Sequence, residues 1–133
     1  MTPYFPDDPS PKPCLLLAHT DVTYAVVASR YFRQCGWDVL FVRSASEARR
    51  LARELDATVI VLDTEFRLES GWLTCAKLAE EHPSTKIILT TPNATARKRR
   101  FARFAGAADL VDVHAGVSSL VDAVCSAALR AVG

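Results

Sequence analysis

The 133-residue chain is 50% apolar and 23% charged, and its Lys+Arg 16 against Asp+Glu 15 leave a formal net charge of +1. That length fits one sizeable core and excludes two ordinary domains, while the balanced charge excludes a globally polyanion-binding or strongly acidic protein. Cys14, Cys35, Cys75 and Cys125 form no CxxC pair or zinc-like spacing, and neither a secretory signal nor a bilayer-length apolar run accompanies them; free thiols, a cytoplasmic location and no membrane contact are expected.

Residues 1–13 carry Pro3, Pro6, Pro9, Pro11 and Pro13 with Asp7 and Asp8, a composition that joins neither a helix nor a central strand. They are read as a flexible arm, and residues 14–133 as one domain. The apolar run Cys14–Ala18 opens that domain. Like Val39–Val42, Val59–Leu62 and Ile87–Leu89, it is short, β-branched or leucine-rich and free of polar alternation, the pattern of strands buried on both faces of a parallel sheet. Leu110–Val113 supplies a fifth strand, interrupted by Asp112.

Between these runs the apolar period becomes helical. Tyr24, Val27, Ala28, Tyr31 and Cys35 share a face, as do Ala48, Leu51, Ala52 and Leu55, then Trp72, Cys75, Ala76 and Ala79, and finally Val117, Leu120, Val121, Val124, Ala128 and Ala131. Ser44 followed by Glu47 makes a capping box for the second helix, and Gly36 and Pro83 punctuate the ends of the first and third. Five repetitions of strand then helix, joined by right-handed crossovers, predict an α/β fold: a doubly wound five-stranded parallel sheet flanked by five helices.

In such a sheet the loops after the strands converge at the carboxyl edge, where these folds place their chemistry. His19, Thr20 and Asp21 follow the first strand, and Asp63, Thr64 and Glu65 follow the run Thr58–Leu62. Thr90 and Thr91 follow the fourth strand, and Asp112, Val113 and His114 the fifth. The strand-helix order, VIVLD with Gly71 beyond it, the hydroxyl pair Thr90-Thr91 and Gly106-Ala107 together resemble a response-regulator receiver domain of the flavodoxin-like class, over about residues 14–131.

The resemblance implies that Asp63 is a phosphoacceptor fed by a sensor kinase, and that Thr91 is the hydroxyl that turns toward the phosphoryl group, with Thr90 its replacement if the strand shifts by one. It also implies that the Glu65 carbonyl helps hold Mg²⁺. Receivers place two acids after the first strand; here His19 and Thr20 stand there and Asp21 comes one residue late. The strand-end lysine of receivers is replaced by Val113 or His114, and the proline after it by Ala115-Gly116. A hard divalent cation needs several oxygen ligands, so Mg²⁺ is doubtful with only Asp21, Asp63 and Glu65 as weak candidates. No other cofactor is indicated.

Two readings of the histidines stay open: His19 and His114 supply compensating positive charge, or the pocket has drifted and they are polar residues at a loop edge. Asp63 has its own alternative as the cap of a turn, and Thr91 as a strand-end hydroxyl bonded to backbone.

Arg97, Lys98, Arg99, Arg100 and Arg103 form the densest local charge. At helical spacing Ala94, Phe101, Phe104 and Ala105 are expected to pack inward while Arg99, Arg100 and Arg103 face solvent, either as a solvated surface or as a docking face. Nucleic acid is disfavoured by the shortness of the patch and its lack of aromatic stacking platforms. Trp37 and Trp72 are expected to be buried.

The leading expectation is a non-enzymatic signalling module of the two-component type. It would be a pseudo-receiver whose Mg²⁺-dependent phosphorylation is weakened or lost, acting on a protein partner or output domain or as a homodimer through the fourth helix, fifth strand and fifth helix. The alternatives are a phosphorelay receiver using Asp63 and, with no activating base or cofactor fingerprint to support it, an independent enzyme.

Overall fold

The computed structural model describes residues 12–132, with side chains through residue 130. The arm expected over residues 1–13 lies, but for its last two residues, outside the described residues, as does the side chain of Ala131. The element order is β1 (Cys14–Ala18), α1 (Val22–Gln34), β2 (Asp38–Val42), α2 (Ala45–Glu54), β3 (Val59–Asp63), α3 (Gly71–Glu81), β4 (Lys86–Thr91), α4 (Ala96–Phe104), β5 (Asp109–Asp112), a 3₁₀ turn (Val113–Ala115) and α5 (Val117–Val132).

All strand pairs are parallel, in the order β2-β1-β3-β4-β5. Alternation along each strand splits the core in two. Leu16, Ile60, Leu62, Ile87 and Leu89 face α2, α3 and α4. Leu15, Leu17, Val59, Val61 and Ile88 face α1 and α5. Each leucine or isoleucine sealed in these layers contributes about 2 kcal/mol. The central strands β1, β3 and β4 are buried almost throughout, whereas edge strand β2 exposes Asp38 and Leu40.

The caps are where the residue types call for them. Ser44 Oγ accepts from the Glu47 amide at 3.2 Å, and Gly36, at φ +91°, turns the chain from α1 toward β2. The faces of α2 and α5 follow the sequence pattern, with Ala48, Ala52, Leu120 and Val124 inward.

Three helices seat differently from expectation. In α1 the buried line is Tyr24, Ala25, Ala28, Ser29 and Phe32; Val27, Tyr31 and Cys35 are exposed, because the helix rests on its Tyr24-Ala28-Phe32 row. In α3 the buried set is Gly71, Thr74, Cys75 and Leu78, which leaves Ala76 outside and Trp72 half-buried. In α4 only Ala102 is buried, with Ala105 just beyond the helix; Phe101 and Phe104 are 52% and 89% exposed. The helix lies close to the sheet on small side chains, so its phenylalanines have no room beneath it. Trp37 is buried edge-on to Phe32 at 5.4 Å, and Trp72 meets Phe101 edge-on at 5.0 Å between α3 and α4. No described helix is long and apolar enough to cross a membrane.

Candidate functional site

Asp63 is the last residue of β3 and lies beside Thr90 in register. Pleating points it to the same side as Val59 and Val61, toward α1, and only 2% of it is exposed. A buried carboxylate needs donors, and the chain supplies three. Oδ2 accepts from the Thr20 amide at 3.0 Å and from the Thr20 hydroxyl; Oδ1 accepts from the Glu65 amide at 2.9 Å.

His19 is also buried. Its Nδ1 accepts from the Asp21 amide at 3.0 Å, which leaves the ring hydrogen on Nε2 to donate to Thr90 Oγ1 at 2.9 Å. That pattern assigns the neutral ring. Burial holds its pKa below the ordinary histidine value, against the opposing pull of Asp63 and Asp21, and Nδ1 lies 3.5 Å from Asp63 Oδ2. His19 is therefore an uncharged bridge between two strand ends, and neither a loop-edge residue nor a ready source of positive charge.

The sign of its pH effect follows from burial. A depressed folded-state pKa means that the unfolded chain takes up the proton first as pH falls, so the contribution is full above about 6.5 and lost toward the lower folded value. Between pH 7 and pH 5 the melting temperature of the wild type will fall more than that of His19→Gln. Parallel curves for the two proteins would contradict the assignment.

On the other side of the sheet edge, Thr91 Oγ1 lies 3.1 Å from Thr64 Oγ1 and 3.5 Å from Lys98 Nζ; the lysine also donates to the Pro92 carbonyl at 2.7 Å. Thr64, Glu65 and Thr91 are thus joined, since the Thr64 hydroxyl also lies 2.9 Å from Glu65 Oε2.

The remaining candidates stand apart. Asp21 caps α1, its Oδ1 accepting from the Tyr24 amide at 3.1 Å. β5 ends at Asp112, and the next residue, Val113, packs its side chain against the α1/α5 core. His114 is exposed, with its amide donating to Asp112 Oδ1 at 2.9 Å, and makes no polar contact with Asp63 among the described residues. Asp112 Oδ2 accepts from the Ala94 amide at 3.0 Å; these amides hold its carboxyl below the usual range. Arg100 and Arg103 are exposed as expected, whereas Arg99, although exposed, is tied by Nη1 to the Leu110 carbonyl at 2.9 Å.

Three neighbours of the site were not legible as such. Tyr24 reads as a core residue of α1, yet its ring lies 4.9 Å from that of His19 and its buried hydroxyl has no hydrogen-bond partner among the described residues. Burial first, then the charges of Asp21, Asp112 and Asp63, push its pKa up to about 12. Lys98 reads as one more cation in a charge run, and Thr64 as a strand-end residue with no role assigned to it.

The residues present do not fit the Mg²⁺ that the resemblance implies. Such an ion wants near-octahedral oxygen coordination, while both Asp63 oxygens already accept hydrogen bonds from Thr20 and Glu65 and Asp21 Oδ1 caps α1. No cluster of three or more metal-binding side chains occurs among the described residues.

Residues 15–124 match the family model for the response regulator receiver domain. No curated protein gives a significant match. Among solved structures, the chain is similar to a CheY-like receiver domain protein from Methanospirillum hungatei, with 16% identity, TM-score 0.83, 91% of this chain and 97% of that one covered. It is similar to a Francisella response regulator receiver domain at 20% identity and TM-score 0.82, covering 90% and 98%. A Burkholderia pseudomallei response regulator protein, solved with a phosphorylated aspartic acid, calcium ion and citrate, matches at 23% identity and TM-score 0.77, covering 90% of this chain and 70% of that one.

Proposed function

The chain belongs to the response regulator receiver domain family, and from that premise we propose that it is a non-enzymatic, cytoplasmic pseudo-receiver in which Mg²⁺-dependent phosphorylation of Asp63 is weakened or lost. The observation that carries this reading is the occupation of Asp63 by its own chain. Both carboxylate oxygens are held by Thr20 and Glu65 donors, with neutral His19 and Thr20 where a receiver's acids would stand. Phosphoryl transfer rests on positioning and charge neutralisation, and at this strand edge the metal ligands and the strand-end cation are both missing.

Signalling then depends on partner binding, through α4 with Arg100 and Arg103, or on a homodimer through α4, β5 and α5. A two-state switch still needs a ligand or partner that favours one state. A second reading is supported by Thr90, which is paired with Asp63 in register and keeps a strand-end hydroxyl on the carboxylate's side of the sheet. In it Asp63 accepts a phosphoryl group from a sensor kinase.

Amide spectra of the chain titrated with Mg²⁺ and then with beryllofluoride, a mimic of the aspartyl phosphate, separate the two. The pseudo-receiver reading expects no saturable change. Saturable shifts at Asp63, Thr91 and α4 that vanish in Asp63→Ala would establish the phosphoacceptor instead.

A further inference from the structure

We propose that the cleft between α2 and the β3–α3 loop binds a phosphorylated small molecule of nucleotide size. This goes beyond the pseudo-receiver reading and does not depend on whether Asp63 is phosphorylated. The cleft encloses about 830 Å³, a volume in the range of small-molecule sites and far larger than one phosphate needs. It opens outside the carboxyl ends of β1 and β3, the point where strand order reverses and where open α/β sheets take their ligands.

Four arginines line it from three segments: Arg43 before α2, Arg49 and Arg53 on α2, and Arg67 on the β3–α3 loop. Arg49 is paired with Glu81 at 2.9 Å. Arg43, Arg53 and Arg67 are exposed and have no ion pair among the described residues. Of the two carboxylates of the lining, Glu69 is paired with Lys77, whereas Glu65, which accepts from the Thr64 hydroxyl, keeps its charge against those three arginines. The charge left over is positive, and planar guanidinium forks suit phosphate oxygens.

The rest of the lining mixes the hydroxyls of Thr20, Ser44 and Ser46 with apolar surface that includes buried Phe66 and fully exposed Leu68. An exposed leucine beside unpaired arginines fits a ligand with an anionic head and a flat apolar body, as a nucleoside di- or triphosphate has. Thr20 forms part of the wall and also holds Asp63, so a ligand seated here touches the residue that occupies the acceptor carboxylate.

Calorimetric titration of the intact chain at low ionic strength, with metal chelated, tests the site with ATP and with pyrophosphate as probes. Saturable ATP binding is expected, tighter than that of pyrophosphate. The double variant Arg43→Ala/Arg67→Ala will weaken it by about tenfold or more while melting with the wild type, and Arg97→Ala/Arg100→Ala on α4 will leave it unchanged. Absence of saturable ATP binding at millimolar concentration would overturn the proposal. So would an equal loss in the α4 variant, which would mark diffuse charge attraction, or equal affinity for the two probes, which would remove the apolar subsite.

Discussion

Replacement of Gly71 by alanine will destabilise the fold by about 3 kcal/mol and will disturb Asp63 before any other part of the site. A Cβ built on Gly71 falls 2.1 Å from the Asp63 carbonyl oxygen and 2.7 Å from the Thr64 Cα. Both obstacles are backbone, at the last residue of β3 and the one just beyond it, where Asp63 is paired with Thr90 and the Thr64 amide donates to the Thr90 carbonyl at 2.9 Å. Neither can swing aside as a flexible side chain would. Alanine's better helix propensity offsets at most about 1 kcal/mol, so the net effect is a fall in melting temperature of roughly ten degrees for a domain of this size. Urea unfolding measures the loss, and amide shifts at Asp63, Thr64 and Glu65 locate it. A variant that melts within two or three degrees of the wild type would show that α3 can slide away from the strand end, contrary to this packing.

The second large effect is expected from Thr20→Asp. The hydroxyl that now donates to Asp63 Oδ2 would become a carboxylate facing another carboxylate that is 2% exposed. Two such groups in contact cannot both ionise cheaply, and without a cation the variant should lose about 2–3 kcal/mol. The same change rebuilds a pair of acidic oxygens at the sheet edge. Mg²⁺ at a hundred times its dissociation constant would then restore about 2.7 kcal/mol, whereas the wild type should melt at one temperature with or without the ion. Melting curves of both proteins across a Mg²⁺ series decide the matter; a variant as stable as the wild type and indifferent to Mg²⁺ would mean that Thr20 does not stand where the acid is needed.

The sheet was legible because buried parallel strands announce themselves: Val59–Leu62 has no polar position to misplace, and Asp63 ends it where the apolar run stops. Boundaries moved by a residue or two, as at β4, where the hydroxyls of Thr90 and Thr91 are strand members. Helix faces were less legible, since apolar residues on several sides of α1 allowed more than one stripe, and tertiary seating selected the row ending in Phe32. In α4 the large apolar residues read as core anchors, but proximity to the sheet favours Ala102 and Ala105 and displaces the phenylalanines. Phe101 and Phe104 therefore stand exposed beside the basic residues of α4 and not beneath it.

At the site, position was readable and state was not. His19 could be placed after β1 from the order of residues alone. Its neutrality follows from the Asp21 amide and the Thr90 hydroxyl, partners that exist only once the loop and β4 are brought together. The Arg43–Arg67 cleft was invisible for the same reason: its cations are scattered along the chain and share a lining only through the fold.

The Thr91 hydroxyl has a consequence for how a signal could cross this domain. It links a β3-loop hydroxyl to an α4 ammonium, while Asp112 pins the loop between them through the Ala94 amide. With that loop anchored, information need not travel as a displacement of backbone. Rotation of that one hydroxyl about χ1 would break its contacts with Thr64 and Lys98 together, coupling the charge presented by α4 to the sheet edge through a single side-chain torsion.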